Sequence, residues 1–163
     1  MGLLDSALKR LQRAGASAAS GRSGTPAATP DLDALVTGAE LEAVTGSRPA
    51  GEPRRNGPDG SEVDIGRIVI KETRLADGGK FLISLNNCSD AAAAQLAMNR
   101  VAELEKPLEG VGERGLKRVD GPGDVGVMAL KGTFTLSLNH SSPDGRADID
   151  ALTDLLRRAL DRL

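Results

Sequence analysis

A stretch of small residues and prolines divides this chain into two unequal parts. Residues 15–31, GASAASGRSGTPAATPD, consist almost entirely of Gly, Ala, Ser, Thr and Pro. Gly and Ser leave the backbone free, whereas Pro26 and Pro30 block the continuation of a helix. We therefore predict a flexible linker over 15–31. Any substantial hydrophobic core has to come from a single domain formed by residues 32–163.

Residues 1–14, which precede the linker, have the pattern of a separate amphipathic helix. One side carries Leu3, Leu4, Leu8 and Leu11, and the other carries Lys9, Arg10 and Arg13. A helix of about 13 residues is only marginally stable alone in water. We expect this helix to form when its leucine face meets a surface, so these seven residues are the predicted partner- or membrane-binding residues.

Three alternatives are open for that helix. It can fold back on its own domain, or it can lie in a groove of a partner protein as a docking peptide. It can also lie on a membrane, with the leucines in the interface and the cations toward anionic lipid. The apolar face is small and has no aromatic residue, which weighs against the membrane alternative.

The pattern of residues 32–163 is that of an α+β domain. A capping box at Thr37 and Glu40 predicts the start of a short helix that Gly46 ends. Residues 47–62 are expected to form an exposed loop. Two amphipathic stretches predict later helices, one beginning at Ser89-Asp90 and ending before Pro107, and one from about residue 148 to 163.

The strand signals in this domain come in hairpins. Residues 63–75 and 81–85 form one pair around the turn at 76–79, and residues 116–119, 125–130 and 133–139 follow one another through short turns. The alternation over 133–139 is the clearest. We predict a mostly antiparallel sheet of about five strands, covered by helices on one face.

The order LVTGAELEAVTG, hairpin, CSDAAAAQLAMNRVAEL, PLEGVG, VMALKGTFTLSL and C-terminal helix resembles a family of small bacterial lipoprotein and sensor-type domains. The resemblance covers residues 32–163. It implies a PsbP-like α/β sandwich without enzymatic activity. The chain lacks the lipoprotein signal and the paired cysteines common in that family, so export and lipid anchoring are not expected.

Composition argues against several classes of function. Phe81 and Phe134 are the only aromatic residues, so stacking platforms for bases or sugars are not expected. The net charge of −2 belongs to an acidic body with a basic N-terminus, which disfavours nucleic acid as a partner. One cysteine and no apolar run that could serve as a signal peptide favour the cytoplasm, with association to a membrane or an assembly as an alternative.

Catalytic and metal-binding patterns are nearly absent from the sequence. One His and one Cys exclude the common zinc motifs, and the glycine-rich turns lack the context of a phosphate loop, so no metal or cofactor is expected. The remaining candidates are Cys88, placed before a predicted helix, and His140, at the end of a predicted strand. They would form the nucleophile and base of a cysteine hydrolase if the fold brought them together.

The sequence therefore favours a non-catalytic accessory or interaction domain. Its N-terminal helix would place it on a protein assembly or a membrane surface. A small-ligand or sensor domain with a cavity between sheet and helices is the alternative. The cysteine hydrolase ranks third.

Overall fold

The computed structural model describes residues 29–55, 68–103 and 105–163. Within these residues the helices are α1 (Leu32–Leu35), α2 (Gly38–Thr45), α3 (Ala91–Ala102) and α4 (Ile149–Asp161). The strands are β1 (Arg54–Arg55), β2 (Ile68–Arg74), β3 (Lys80–Asn87), β4 (Lys106–Leu108), β5 (Arg114–Val119), β6 (Asp124–Lys131) and β7 (Phe134–Ser141). The predicted α+β class is confirmed.

All described strands belong to one antiparallel sheet, in the order β1-β2-β3-β7-β6-β5-β4. The prediction of about five strands was wrong, because the sheet has seven. The two that were missed, β1 and β4, are the outermost strands and are only two and three residues long. Strands this short carry too few residues to show alternation. The pairing of β1 with Lys71 and Glu72 also corrects the expected exposed loop over 47–62.

One face of the sheet, here the front face, carries the larger part of the core. It presents Phe81, Ile83 and Leu85 from β3 and Leu136 and Leu138 from β7, all of them buried. Helices α1, α2 and α4 supply the other half of this cluster. The predicted alternation along β7 is confirmed, since Leu136 and Leu138 join the core while Thr135 and Ser137 point to the opposite side.

Among the described helices, only α3 covers the opposite face, here the back face. Its second apolar cluster joins Ala94, Ala97, Met98 and Val101 of α3 to Leu116 and Met128, among others. The expectation that all helices cover one face was therefore wrong. The reason is visible in the register, because Leu116 and Met128 are paired and both lie on the face that Thr135 and Ser137 share. Helix packing follows the apolar patches on each face, and this sheet has one on each.

The helix ends follow the local signals in the sequence. Thr37 and Glu40 form the predicted capping box, and Gly46 ends α2 with a φ of 69°. Asp90 caps α3, accepting from the backbone N–H of Ala93 at 2.8 Å. Asp31, the last residue of the predicted linker, is the N-cap of α1.

Glu40 joins three helices at one carboxylate. Arg162 donates to its two oxygens at 2.6 and 2.8 Å and also to the carbonyl of Leu35 at 2.7 Å. The hydrogen bond from Arg162, supported by those from Thr37, lowers the pKa of Glu40 to about 2. The carboxylate consequently stays charged, and α1, α2 and α4 are fixed relative to one another.

Candidate functional site

The structure does not bring Cys88 and His140 together. In the pairing of β3 with β7, His140 lies opposite Phe81, while Cys88 follows Asn87 at the other end of the same strands. Seven residues of strand separate Phe81 from Cys88, which is on the order of 23 Å. Cys88 also packs in the back-face cluster, whereas His140 lies on the front face. The two groups are too far apart for proton transfer between them.

The predicted binding residues of the N-terminal helix lie outside the described residues. This applies to Leu3, Leu4, Leu8, Leu11, Lys9, Arg10 and Arg13. The residues of the folded domain that bear on function are therefore those of a cleft, a polar network and a buried histidine.

The cleft lies between α1 and the β1–β2 edge of the sheet. It encloses about 440 Å³ and is lined by Asp31, Leu32, Asp33, Arg55 and Val69, with Thr29 and Pro30 at the end of the linker. This volume is within the range of small-molecule sites. The chain thus enters the domain beside an open, largely polar groove.

Asp33 is the electrostatic centre of that cleft. Its two carboxylate oxygens accept from Lys71 and Arg55, which are cross-strand neighbours on β2 and β1. The hydrogen bond from Lys71, and then that from Arg55, hold the pKa of Asp33 below its ordinary value in spite of desolvation. Asp31 also lines the cleft, so two carboxylates balance the two cations, and the lining favours a polar ligand without selecting the sign of its charge.

A second polar group lies on the back face, around Arg118. The side chain of Arg118 is only 8% exposed, and its Nε lies 2.9 Å from Asp120 Oδ2. Its Nη2 donates to Asn139 Oδ1 at 3.1 Å, and Asn139 donates in turn to Ser137 at 3.0 Å. This network braces β5 against β7 across the intervening strand β6.

Gly126 makes that network possible. It lies between Arg118 and Asn139 in the register, on the strand that separates them. A Cβ at this position would lie 2.4 Å from Asn139 Oδ1, so the two polar side chains meet over the bare backbone. A glycine inside a strand marks such a close approach. That was the one sequence signal that could have pointed to Arg118 and Asn139.

His140 is the most deeply buried ionisable group in the described part of the chain. It is 2% exposed, and neither Nδ1 nor Nε2 has a hydrogen-bond partner among the described residues. Burial lowers the pKa of His140, against the attraction of the carboxylates of Asp77, Asp124 and Asp144, which raise it. The imidazole is therefore held neutral at neutral pH.

Two further properties follow from the described residues. No group of three or more His, Cys, Asp or Glu side chains there is placed to hold a metal ion. In those same ranges, no helix combines the length and the apolar character that crossing a membrane requires.

The chain was compared with family models, curated proteins and solved structures. The chain matches no family model, no curated protein and no solved structure. The resemblance to PsbP-like lipoprotein and sensor domains accordingly stays a prediction.

Proposed function

We propose that this protein is a non-catalytic interaction module that its N-terminal segment attaches to a partner protein. The leucines at positions 4, 8 and 11 would enter an apolar groove of that partner. Lys9, Arg10 and Arg13 would face carboxylates at the rim of the groove.

The observation that carries this proposal is that the folded domain covers its own apolar surfaces. Its own helices cover the apolar patches on both faces of the sheet. Among the described residues, the large hydrophobics with exposed side chains are Leu96, on α3, and Val119, on β5. They belong to opposite faces of the sheet, so they form no continuous surface for a leucine stripe. This favours an external surface as the docking site.

The linker supports the same proposal. A segment with the composition of residues 15–31 would let the helix sample a wide volume around the domain while it remains attached. Thr29 and Pro30, near the end of this segment, line the cleft. The helix can thus bind elsewhere without disturbing either apolar cluster.

The test compares three variants that carry a C-terminal affinity tag, two of full length and one truncated. Leu4→Ser, Leu8→Ser and Leu11→Ser together should reduce co-purification of the partner at least tenfold. Removal of residues 1–24 should abolish it. Lys9→Gln, Arg10→Gln and Arg13→Gln together should cause a smaller loss that depends on salt. Thermal unfolding should be unchanged in all three, which shows that the domain remains folded.

Flotation with vesicles of phosphatidylglycerol and phosphatidylcholine separates the membrane alternative from protein docking. Strong flotation that the Gln variant abolishes would favour lipid. If the leucine variant and the truncated protein retain every partner of the full chain, the docking proposal is wrong.

A small-ligand function is the second candidate, and the cleft beside Asp33 favours it. Its volume and its charged lining suit a small polar molecule. Native mass spectrometry of the purified protein should then detect a bound species of a few hundred daltons. Val69→Phe would fill the cleft and should remove that species, whereas Leu96→Phe, on an exposed part of α3, should retain it. A mass equal to that of the bare chain would exclude this candidate.

A further inference from the structure

We propose that His140 makes one end of the sheet acid-sensitive, so that protonation of its ring opens the loop of residues 142–145. This conformational switch is independent of the N-terminal helix and of the cleft. Its basis is the position of three connecting segments at the end of the sheet where the buried His140 lies.

Three segments meet at the end of the sheet where His140 lies. They are the turn at residues 76–79, the turn at 120–123 and the loop at 142–145 that leads toward α4. The backbone N–H of Ser142 donates to Gly123 at 2.6 Å. A Cβ on Gly123 would lie 2.2 Å from Ser142 O, and one on Gly78 would lie 3.8 Å from Pro143. The loop is thus packed closely against both turns.

In the closed form, the buried His140 ring has no hydrogen-bond partner among the described residues for an added proton. Its backbone is fixed by pairing with Phe81 on one side and Val125 on the other. A neutral imidazole has one donor and one acceptor, whereas the charged ring has two donors. Since neither nitrogen has a hydrogen-bond partner among the described residues, the charged ring would be buried without a hydrogen bond.

The charges that act on the ring come from each of the segments around it. Asp77 lies in the first turn, Asp124 on β6 just after the second, and Asp144 in the loop. Asp144 accepts from the Ser142 hydroxyl and is ion-paired with Arg146 at 3.0 Å. A protonated ring therefore has partners within reach if the segments rearrange. Each turn joins two strands that are paired with each other, whereas the loop joins β7 to α4, so the loop is the part that moves.

The direction of the pH dependence follows from the lowered pKa. The closed form binds fewer protons than an open form in which the histidine titrates near 6.5. The closed form is hence fully favoured above pH 6.5, and it loses stability as the pH falls below that value. The chain has a single histidine, so no other side chain has an ordinary pKa between 5 and 7.

Hydrogen exchange on the full-length protein tests the switch. After correction for the intrinsic exchange rate, protection of the Ser142 and Gly145 amides should fall by up to about thirtyfold between pH 7.5 and 5.0. That is the factor by which a group of ordinary pKa 6.5 favours an open, protonated form at pH 5. The amide of Cys88, which donates to Thr133 at the other end of the sheet, is the internal control and should keep its protection.

Two further measurements test the switch, a titration of the histidine and the His140→Gln variant. The single histidine C2 proton should titrate below 6.5 in the folded protein and near 6.5 in urea. His140→Gln, which cannot titrate, should remove the pH dependence of the Ser142 and Gly145 amides. Titration of the folded protein at or above 6.5, or equal protection at the two pH values in the wild type, would overturn the switch even if the variant fails to fold.

Discussion

Gly123→Ala should destabilise the domain by about 3 kcal/mol at pH 7.5, measured by urea unfolding. Gly123 has a φ of 95°, where an L-residue is strained. The new Cβ would also overlap the carbonyl oxygen of Ser142, which is backbone and cannot rotate away. Relief requires the loop at 142–145 to move, and the hydrogen bond from Ser142 to Gly123 is then lost.

Gly121→Ala is the matched control in the same turn. Gly121 also has a positive φ, of 89°, but a Cβ there meets nothing within 4 Å. Its cost should be about 1 kcal/mol, from backbone strain alone. Equal losses in the two variants would show that the contact with Ser142 does not matter.

Leu138→Ala should cost about 3 to 4 kcal/mol of unfolding free energy. Leu138 is fully buried in the middle of the front face, between Ile83 on β3 and Val127 on β6. Its neighbours are held by strand pairing on both sides and by α4 above, so they cannot collapse into the space that the side chain leaves. The loss of unfolding free energy should therefore include most of the contribution from the unfilled cavity, in addition to that of the lost apolar burial.

Leu96→Ala provides the comparison for this core substitution. Leu96 lies on α3 with 47% of its surface exposed, and alanine is an equally good helix former. The expected change is within about 0.5 kcal/mol. A loss at Leu138 that is no larger than this would mean that the front-face cluster is not the main core.

Local signals predicted the parts of the fold that depend on neighbours in sequence. The capping box at Thr37 and Glu40, the C-cap at Gly46 and the alternation along β7 are all present. Each requires contacts within a few residues, or a period of two along one strand. The candidate site was harder to predict from the sequence, because the residues that form it are far apart in the chain. Arg118 and Asn139 meet 21 residues apart, and Asp33 and Lys71 meet 38 apart.

The expectation that Cys88 and His140 could form one site illustrates the same limit. Both lie at strand ends, as the sequence suggested, but β3 and β7 are antiparallel neighbours. The end of one strand therefore lies beside the beginning of the other, and the two side chains are separated by the length of the sheet. Residue types alone could not distinguish a shared edge from opposite edges.

The sequence by itself determined the α+β class, the helix caps and the hairpins, because these follow from local hydrogen bonding and from the spacing of apolar residues. The tertiary structure decided that α3 covers the back face, that Gly126 lets Arg118 reach Asn139 and that His140 is buried between β3 and β6. These features depend on strand order and register over long sequence separations. They arise only when the whole sheet is assembled.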